Sequence, residues 1–109
     1  MARIPTHQEP THPGEMLLEE FLKPMGITQR ELSDSIHVPY QRTNEVINQK
    51  RGITPRTALR LAKYFGVSED FWLNIQLRWD IYKARKKETD ELLKIQPFAR
   101  KNRPINLST

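Results

Sequence analysis

Helix stops punctuate this chain so closely that few folds remain open to it. Pro24 and Gly26, the His37-Val38-Pro39 step, Gly52, the Thr54-Pro55 pair and Gly66 divide its first two thirds into short segments. Within the segments, apolar residues recur at helical spacing. Leu17, Leu18, Phe21, Leu22 and Met25 mark the first, Leu32 and Ile36 the second, and Ala58, Leu59, Leu61, Ala62 and Phe65 the fourth. The segment starts carry matching signals. Pro13 suits a first helical position, where its missing N–H is no loss. Thr28 with Glu31 three residues on forms a capping box. Thr54 precedes Pro55, and Ser68 precedes the acidic pair Glu69 and Asp70. Short helices are stable only when packed on one another. The expected fold is therefore all-α, with five helices over residues 13–25, 29–36, 40–48, 55–65 and 69–83.

One stretch resists this pattern. From Leu73 to Ile81 apolar and polar residues alternate, as in a half-buried strand. A helix is still expected there, because no second alternating segment exists to pair with it. Phe71, Trp72, Leu73, Ile75, Leu77, Trp79, Ile81 and Tyr82 would cover much of its circumference, which calls for more than one neighbour. The chain then divides into an arm over residues 1–11, a helical domain over 12–84, and an extension over 85–109 that is partly helical or mobile. Pro97 breaks that extension, and its last dozen residues read as a basic tail.

Composition removes several function classes. The 109 residues contain no cysteine, so disulfide frameworks, Cys-ligated zinc and thiol nucleophiles are out. His7, His12 and His37 are scattered, and no cofactor or metal is expected. Glu15, Glu19 and Glu20 lie together without a nucleophile, so a solvated helix face is expected there, not an enzyme. No apolar run reaches membrane-span length, and Met1 to His7 lacks the apolar core of a signal peptide, so the expected location is cytoplasmic. The net charge of +5 is uneven. Residues 1–37 carry net −3, whereas Arg42, Lys50, Arg51, Arg56, Arg60 and Lys63 face Glu45 alone over residues 38–63. A polyanionic partner or a merely solvated face would each account for such a block.

The third helix favours the first reading. Two short helices, 29–36 and 40–48, flank a tight turn at His37-Val38-Pro39, the arrangement of a helix-turn-helix. Its second helix enters the major groove, so it is apolar on one narrow side only. Tyr40, Gln41, Arg42, Asn44, Glu45 and Asn48 supply the polar face, and Gln, Arg and Asn match base edges in pairs of hydrogen bonds. Gln29 opens the preceding helix, where its amide and the free N–H groups suit a phosphate. Lys50 and Arg51 lie just beyond, within reach of the DNA backbone.

The same residues carry a resemblance. Thr28-Gln29-x-x-Leu32, Val38-Pro39 and Asn44-Glu45-Val46-Ile47 resemble the lambda-repressor-like (XRE) helix-turn-helix family. More narrowly, His12-Pro13-Gly14-Glu15-x-Leu17, Lys50-Arg51-Gly52-Ile53-Thr54, Thr57-Ala58-Leu59-Arg60-Leu61-Ala62 and Phe71-Trp72-Leu73-Asn74-Ile75-Gln76 resemble the HigA-type antitoxins, which include virulence-associated protein I. The resemblance spans roughly residues 11–83. It implies an antitoxin that neutralises a HigB-like toxin (a RelE-like mRNA endonuclease) and represses its own operon as a homodimer on an inverted repeat. Carried over by position, Tyr40, Gln41, Arg42, Asn44 and Glu45 are base-facing, while Gln29, Asn48, Lys50 and Arg51 face the DNA backbone. His37 and Gln49 stand where the family usually has glycine, which predicts left-handed residues at some cost in stability.

A symmetric dimer needs a seam, and Trp72, Ile75, Trp79 and Tyr82 are the candidates on the fifth helix. Half-sites would then lie about 34 Å apart or at a multiple of that. Residues 85–109 are a candidate toxin-binding or DNA-binding segment. A stand-alone regulator without a toxin, and a protein-interaction module, are the alternatives.

Overall fold

The computed structural model describes residues 9–99. His7, most of the expected arm and the tail beyond residue 99 lie outside the described residues. Five helices form along the described chain, without a strand among them. The first, α1, occupies residues 13–25 in three consecutive pieces: a turn at Pro13–Met16, a π-helical stretch at Leu17–Leu22 and a last turn at Lys23–Met25. The Lys23 N–H reaches back five residues to the Leu18 carbonyl. This wider path precedes Pro24, whose ring clashes with the carbonyl four residues back in a regular helix. Pro24 thus sits inside the last turn, and Gly26 at φ 66° is the stop, with the Ile27 N–H donating to the Leu22 carbonyl at 2.9 Å.

The second helix, α2 (Gln29–Ile36), opens with both bonds of the capping box. Thr28 Oγ1 accepts from the Glu31 N–H at 3.0 Å, and Glu31 Oε1 accepts from the Thr28 N–H at 2.9 Å. The bond from the Thr28 N–H chiefly holds the Glu31 carboxyl below its usual range. The third helix, α3 (Tyr40–Ile47), ends as expected on a left-handed Gln49, at φ 60°. The Lys50 N–H closes the end by donating to the Glu45 carbonyl at 2.8 Å, and the Gln49 N–H donates to Val46 at 3.0 Å. Helix α4 (Pro55–Phe65) starts on Thr54 and stops at Gly66. The last helix, α5 (Glu69–Lys94), runs unbroken through the expected boundary at 84/85. Ser68 precedes it in extended conformation, but its hydroxyl donates to Asp70 Oδ1 at 2.8 Å instead of accepting from a backbone N–H.

The core is gathered around Trp72, which is fully buried. Phe21, Phe65 and Phe71 pack on its ring with centroids 5.0, 6.3 and 5.1 Å away. Leu17, Leu22, Leu32, Ile36, Val46, Ile53, Ala58 and Leu61 are among the residues buried with it, one or more from each of the first four helices or their joints. The alternation from Leu73 to Ile81 has a simple cause on a helix. Ile75 enters the core, whereas Leu77 and Ile81 remain on the outside, 54% and 41% exposed.

His12, the first residue of the expected helical domain, is buried. Its Nδ1 accepts from the Gly14 N–H at 2.9 Å, capping α1. Its ring meets Trp79 edge-on at 5.0 Å, tying the start of α1 to α5.

Candidate nucleic-acid interface

One narrow side of α3 is apolar, and it is fully used. Thr43, Val46 and Ile47 are buried on the side of α3 that packs against α1 and α2. Thr43 Oγ1 accepts from Ser33 Oγ at 2.8 Å, a buried hydroxyl pair that locks α3 to α2. Gly14 supports α3 from behind: a Cβ there would collide with the Val46 carbonyl. A single hydrogen at that position lets the start of α1 lie directly against the end of α3.

The opposite side of α3 is turned outward. Tyr40, Gln41 and Asn48 are exposed, and Arg42, Asn44 and Glu45 are half-buried at its margins. Gln29 of α2 joins this face. Its Oε1 accepts from Asn44 Nδ2 at 3.0 Å, and Asn44 Oδ1 accepts from Asn48 Nδ2 at 3.0 Å. This relay engages both ends of the Asn44 amide and directs the Gln29 –NH2 group away from α3, as a phosphate oxygen requires. Glu45, the acidic exception in the basic block, accepts from Arg51 Nε at 2.8 Å and from Gln41 Nε2 at 3.5 Å. The Arg51 guanidinium chiefly holds the Glu45 carboxyl below its usual range. Arg51 is therefore folded back onto α3, while Lys50 stays exposed beside it.

Two further residues complete the surface through contacts that the sequence does not show. The Arg30 guanidinium lies over the Tyr40 ring, 4.3 Å from its centroid, and braces Tyr40 across the turn. Gln76 of α5 accepts from the Ile53 N–H at 2.7 Å and donates to Asp80 at 2.9 Å. Gly52 lies against the same side chain, with no space for a Cβ. Gln76 thereby ties down the loop that carries Lys50 and Arg51. Its presence in the resemblance motif was visible in sequence, but its partner 23 residues upstream was not.

The expected dimer residues separate into two groups. Trp72, at 0% exposure, and Ile75, at 7%, are consumed by the core of their own chain and offer nothing to a second copy. Periodicity placed them on the face of Trp79, but the first turns of α5 lie under α1 and α4, so that face is covered there. Trp79 and Tyr82 are half-buried, with Lys83 and Lys86 over their rings at 5.7 and 5.3 Å. Leu77 and Ile81, not singled out in sequence, are the exposed apolar residues of this stretch. No cluster of three or more His, Asp or Glu at metal-binding geometry occurs among the described residues, and no described helix is long and apolar enough to cross a membrane.

Comparison with known proteins agrees with this geometry. The helix-turn-helix family pattern matches residues 18–72. Virulence-associated protein I of Dichelobacter nodosus is 42% identical over 96 residues, covering 88% of each chain. An addiction module antidote protein of the HigA family from Coxiella burnetii superposes with a TM-score of 0.78 at 39% identity, covering 84% of this chain and all of that one. The Pseudomonas aeruginosa antitoxin HigA, solved with the higBA promoter, superposes with a TM-score of 0.79 at 32% identity, covering 83% and 99%. With five helices in this order, an outward polar α3 and relatives of this similarity, the chain belongs to the helix-turn-helix family, among the HigA-type antitoxins and virulence-associated protein I.

Proposed function

We propose that this chain is an antitoxin that binds operator DNA through α3 and represses its own operon, and that it neutralises a HigB-like toxin. The observation that carries the DNA-binding part is the continuous polar face formed by Tyr40, Gln41, Arg42 and the Gln29–Asn44–Asn48 relay, mounted on a helix whose other side is buried. In this reading Tyr40, Gln41, Arg42 and Glu45 face bases, with Asn44 holding Gln29 toward a phosphate. Gln29, Asn48, Lys50 and Arg51 follow the DNA backbone, Arg51 after exchanging Glu45 for a phosphate oxygen. The relatives solved with operator or promoter DNA support this docking.

The protein acts as a homodimer on two half-sites. Trp79 and Tyr82, with the exposed Leu77 and Ile81, supply the contact between copies. Neutralisation of a toxin draws support from relatives named antitoxins.

The test is a titration of the DNA upstream of the gene in a salt series. Affinity should fall steeply with salt, as several phosphate contacts demand. Arg42→Ala should cost about 1–3 kcal/mol on that duplex. An affinity insensitive to both salt and Arg42 would reject the DNA-binding role. Co-expression with the adjacent reading frame, scored by growth, tests the antitoxin role: a product harmless on its own would leave a regulator without a toxin.

A further inference from the structure

We propose that Arg60 sets the angle between α2 and α3 and so acts as a positioning residue for operator recognition, not as a phosphate contact. The proposal rests on the DNA-binding reading above. Arg60 belongs by sequence to the basic block, where its charge points to a polyanion. Its geometry points elsewhere. From α4, Arg60 Nη1 donates to the carbonyl of Ile36 at 3.0 Å and to that of His37 at 2.7 Å. These two carbonyls lie at the C-terminal end of α2, where helical oxygens lack partners along the chain and the helix dipole favours a cation.

The place matters because the turn is so short. His37, Val38 and Pro39 are all that separate α2 from α3. His37 holds a left-handed conformation at φ 58°, one that glycine adopts freely and histidine does not. Any relaxation of His37 rotates the start of α3, and with it Tyr40, Gln41 and Arg42. Arg60 grips the carbonyls on both sides of that rotation. A planar guanidinium with several directed donors suits this task, and an ammonium on a flexible stem does not.

Fluorescence anisotropy of the full chain, on the duplex upstream of the gene and on a scrambled duplex, distinguishes the two roles. Arg60→Lys keeps the charge, and Arg60→Met removes it. Both should lose about tenfold in affinity for the upstream duplex, the scale of one charge-assisted hydrogen bond. Both should keep wild-type affinity for the scrambled duplex and the wild-type salt slope. A phosphate contact gives the opposite pattern: Arg60→Met lowers the slope by about 0.9 on both duplexes and Arg60→Lys does not. That pattern, or unchanged affinity in both variants, overturns the proposal. Adding His37→Gly to Arg60→Met should recover part of the loss, and no recovery would overturn the route through the turn.

A readout without DNA keeps the two readings separable. The Val38 N–H, which donates to the Ser33 carbonyl at 3.1 Å inside the turn, should exchange with solvent at least tenfold faster in Arg60→Met. If wild-type protein shows no preference for the upstream duplex, the DNA-binding reading fails, while unchanged Val38 exchange is what defeats the hold of Arg60 on the turn.

Discussion

The α2–α3 pair and the outer half of α5 are both polar at the surface, yet they are held in different ways. In the pair, polar side chains reach across elements: Asn44 to Gln29, Ser33 to Thr43, Arg30 to Tyr40 and Arg60 to the turn. Along residues 83–94 every residue is exposed, and the polar contacts run along the helix itself. Thr89 Oγ1 donates to the Arg85 carbonyl at 2.7 Å, and Lys94 pairs with Glu91 at 3.2 Å. A surface cross-linked by tertiary contacts is placed, so its side chains meet a ligand in a defined pattern. A surface with local contacts alone is a solvated rod, whose shape comes from helix propensity and which opens at low cost.

The sharpest way to break this contrast is the smallest change. Gly14→Ala adds one carbon, and that carbon would overlap the Val46 carbonyl of α3. Neither backbone yields without separating α1 from α3. We expect a loss of about 3 kcal/mol or more in chemical denaturation, at the upper end of overpacking costs. Operator binding should fall even where the protein remains folded. A near-wild-type denaturation midpoint would mean that α1 does not fix α3.

Gln76→Ala should come next. It leaves the Ile53 N–H without its 2.7 Å acceptor and frees the loop bearing Lys50 and Arg51. Loss of a part-buried acceptor costs about 1–3 kcal/mol. Nonspecific and operator binding should weaken together, because the loop serves the DNA backbone. A loss confined to the operator would place Gln76 in base recognition instead.

Sequence made the pair legible and left the cross-links hidden. The capping box at Thr28 and Glu31 and the stops at Gly26 and Gly66 are local, and each appears where the residues placed it, while the left-handed His37 and Gln49 appear where the family resemblance placed them. The polar face of α3 was legible for the same reason. Arg30, Arg60 and Gln76 act on residues 10 to 24 positions away, which no helical period reports. Periodicity also could not divide α5 between its neighbours. It grouped Trp72 and Ile75 with Trp79 and Tyr82, whereas packing by α1 and α4 buries the first two and leaves the others half-open. Continuation of α5 to Lys94 was obscured because a helix without a packed face needs no apolar stripe.

His12 supplies a pH test of the placed region. Burial lowers its pKa below the ordinary 6.5, outweighing the opposing pull of Glu15 and Asp80. Protonation would also remove the Nδ1 acceptor used by Gly14 and set a cation at a helix N-terminus. The unfolded chain therefore binds the proton more readily than the native one. The stabilising contribution is complete above about pH 6.5 and is lost as pH falls through the lowered native value. Denaturation midpoints should decline over that interval, and His12→Asn should flatten the decline. A profile unchanged by the substitution would remove His12 from the link between α1 and α5.

The smallest global effect should come from the harshest local change. Thr89→Pro removes a helical N–H and places a ring against the Arg85 carbonyl, a local cost of about 3 kcal/mol. Residues 83–94 bury nothing in the core, so that cost falls on an element the domain does not need for its own stability. Helical ellipticity should drop, while the denaturation midpoint moves by less than about 0.5 kcal/mol in equivalent stability. A proline in the rod would then matter less than a methyl group behind α3. If Thr89→Pro instead lowers the midpoint in a concentration-dependent manner, the outer half of α5 is a seam between two copies, and the contrast between a placed surface and a solvated one ends at the monomer.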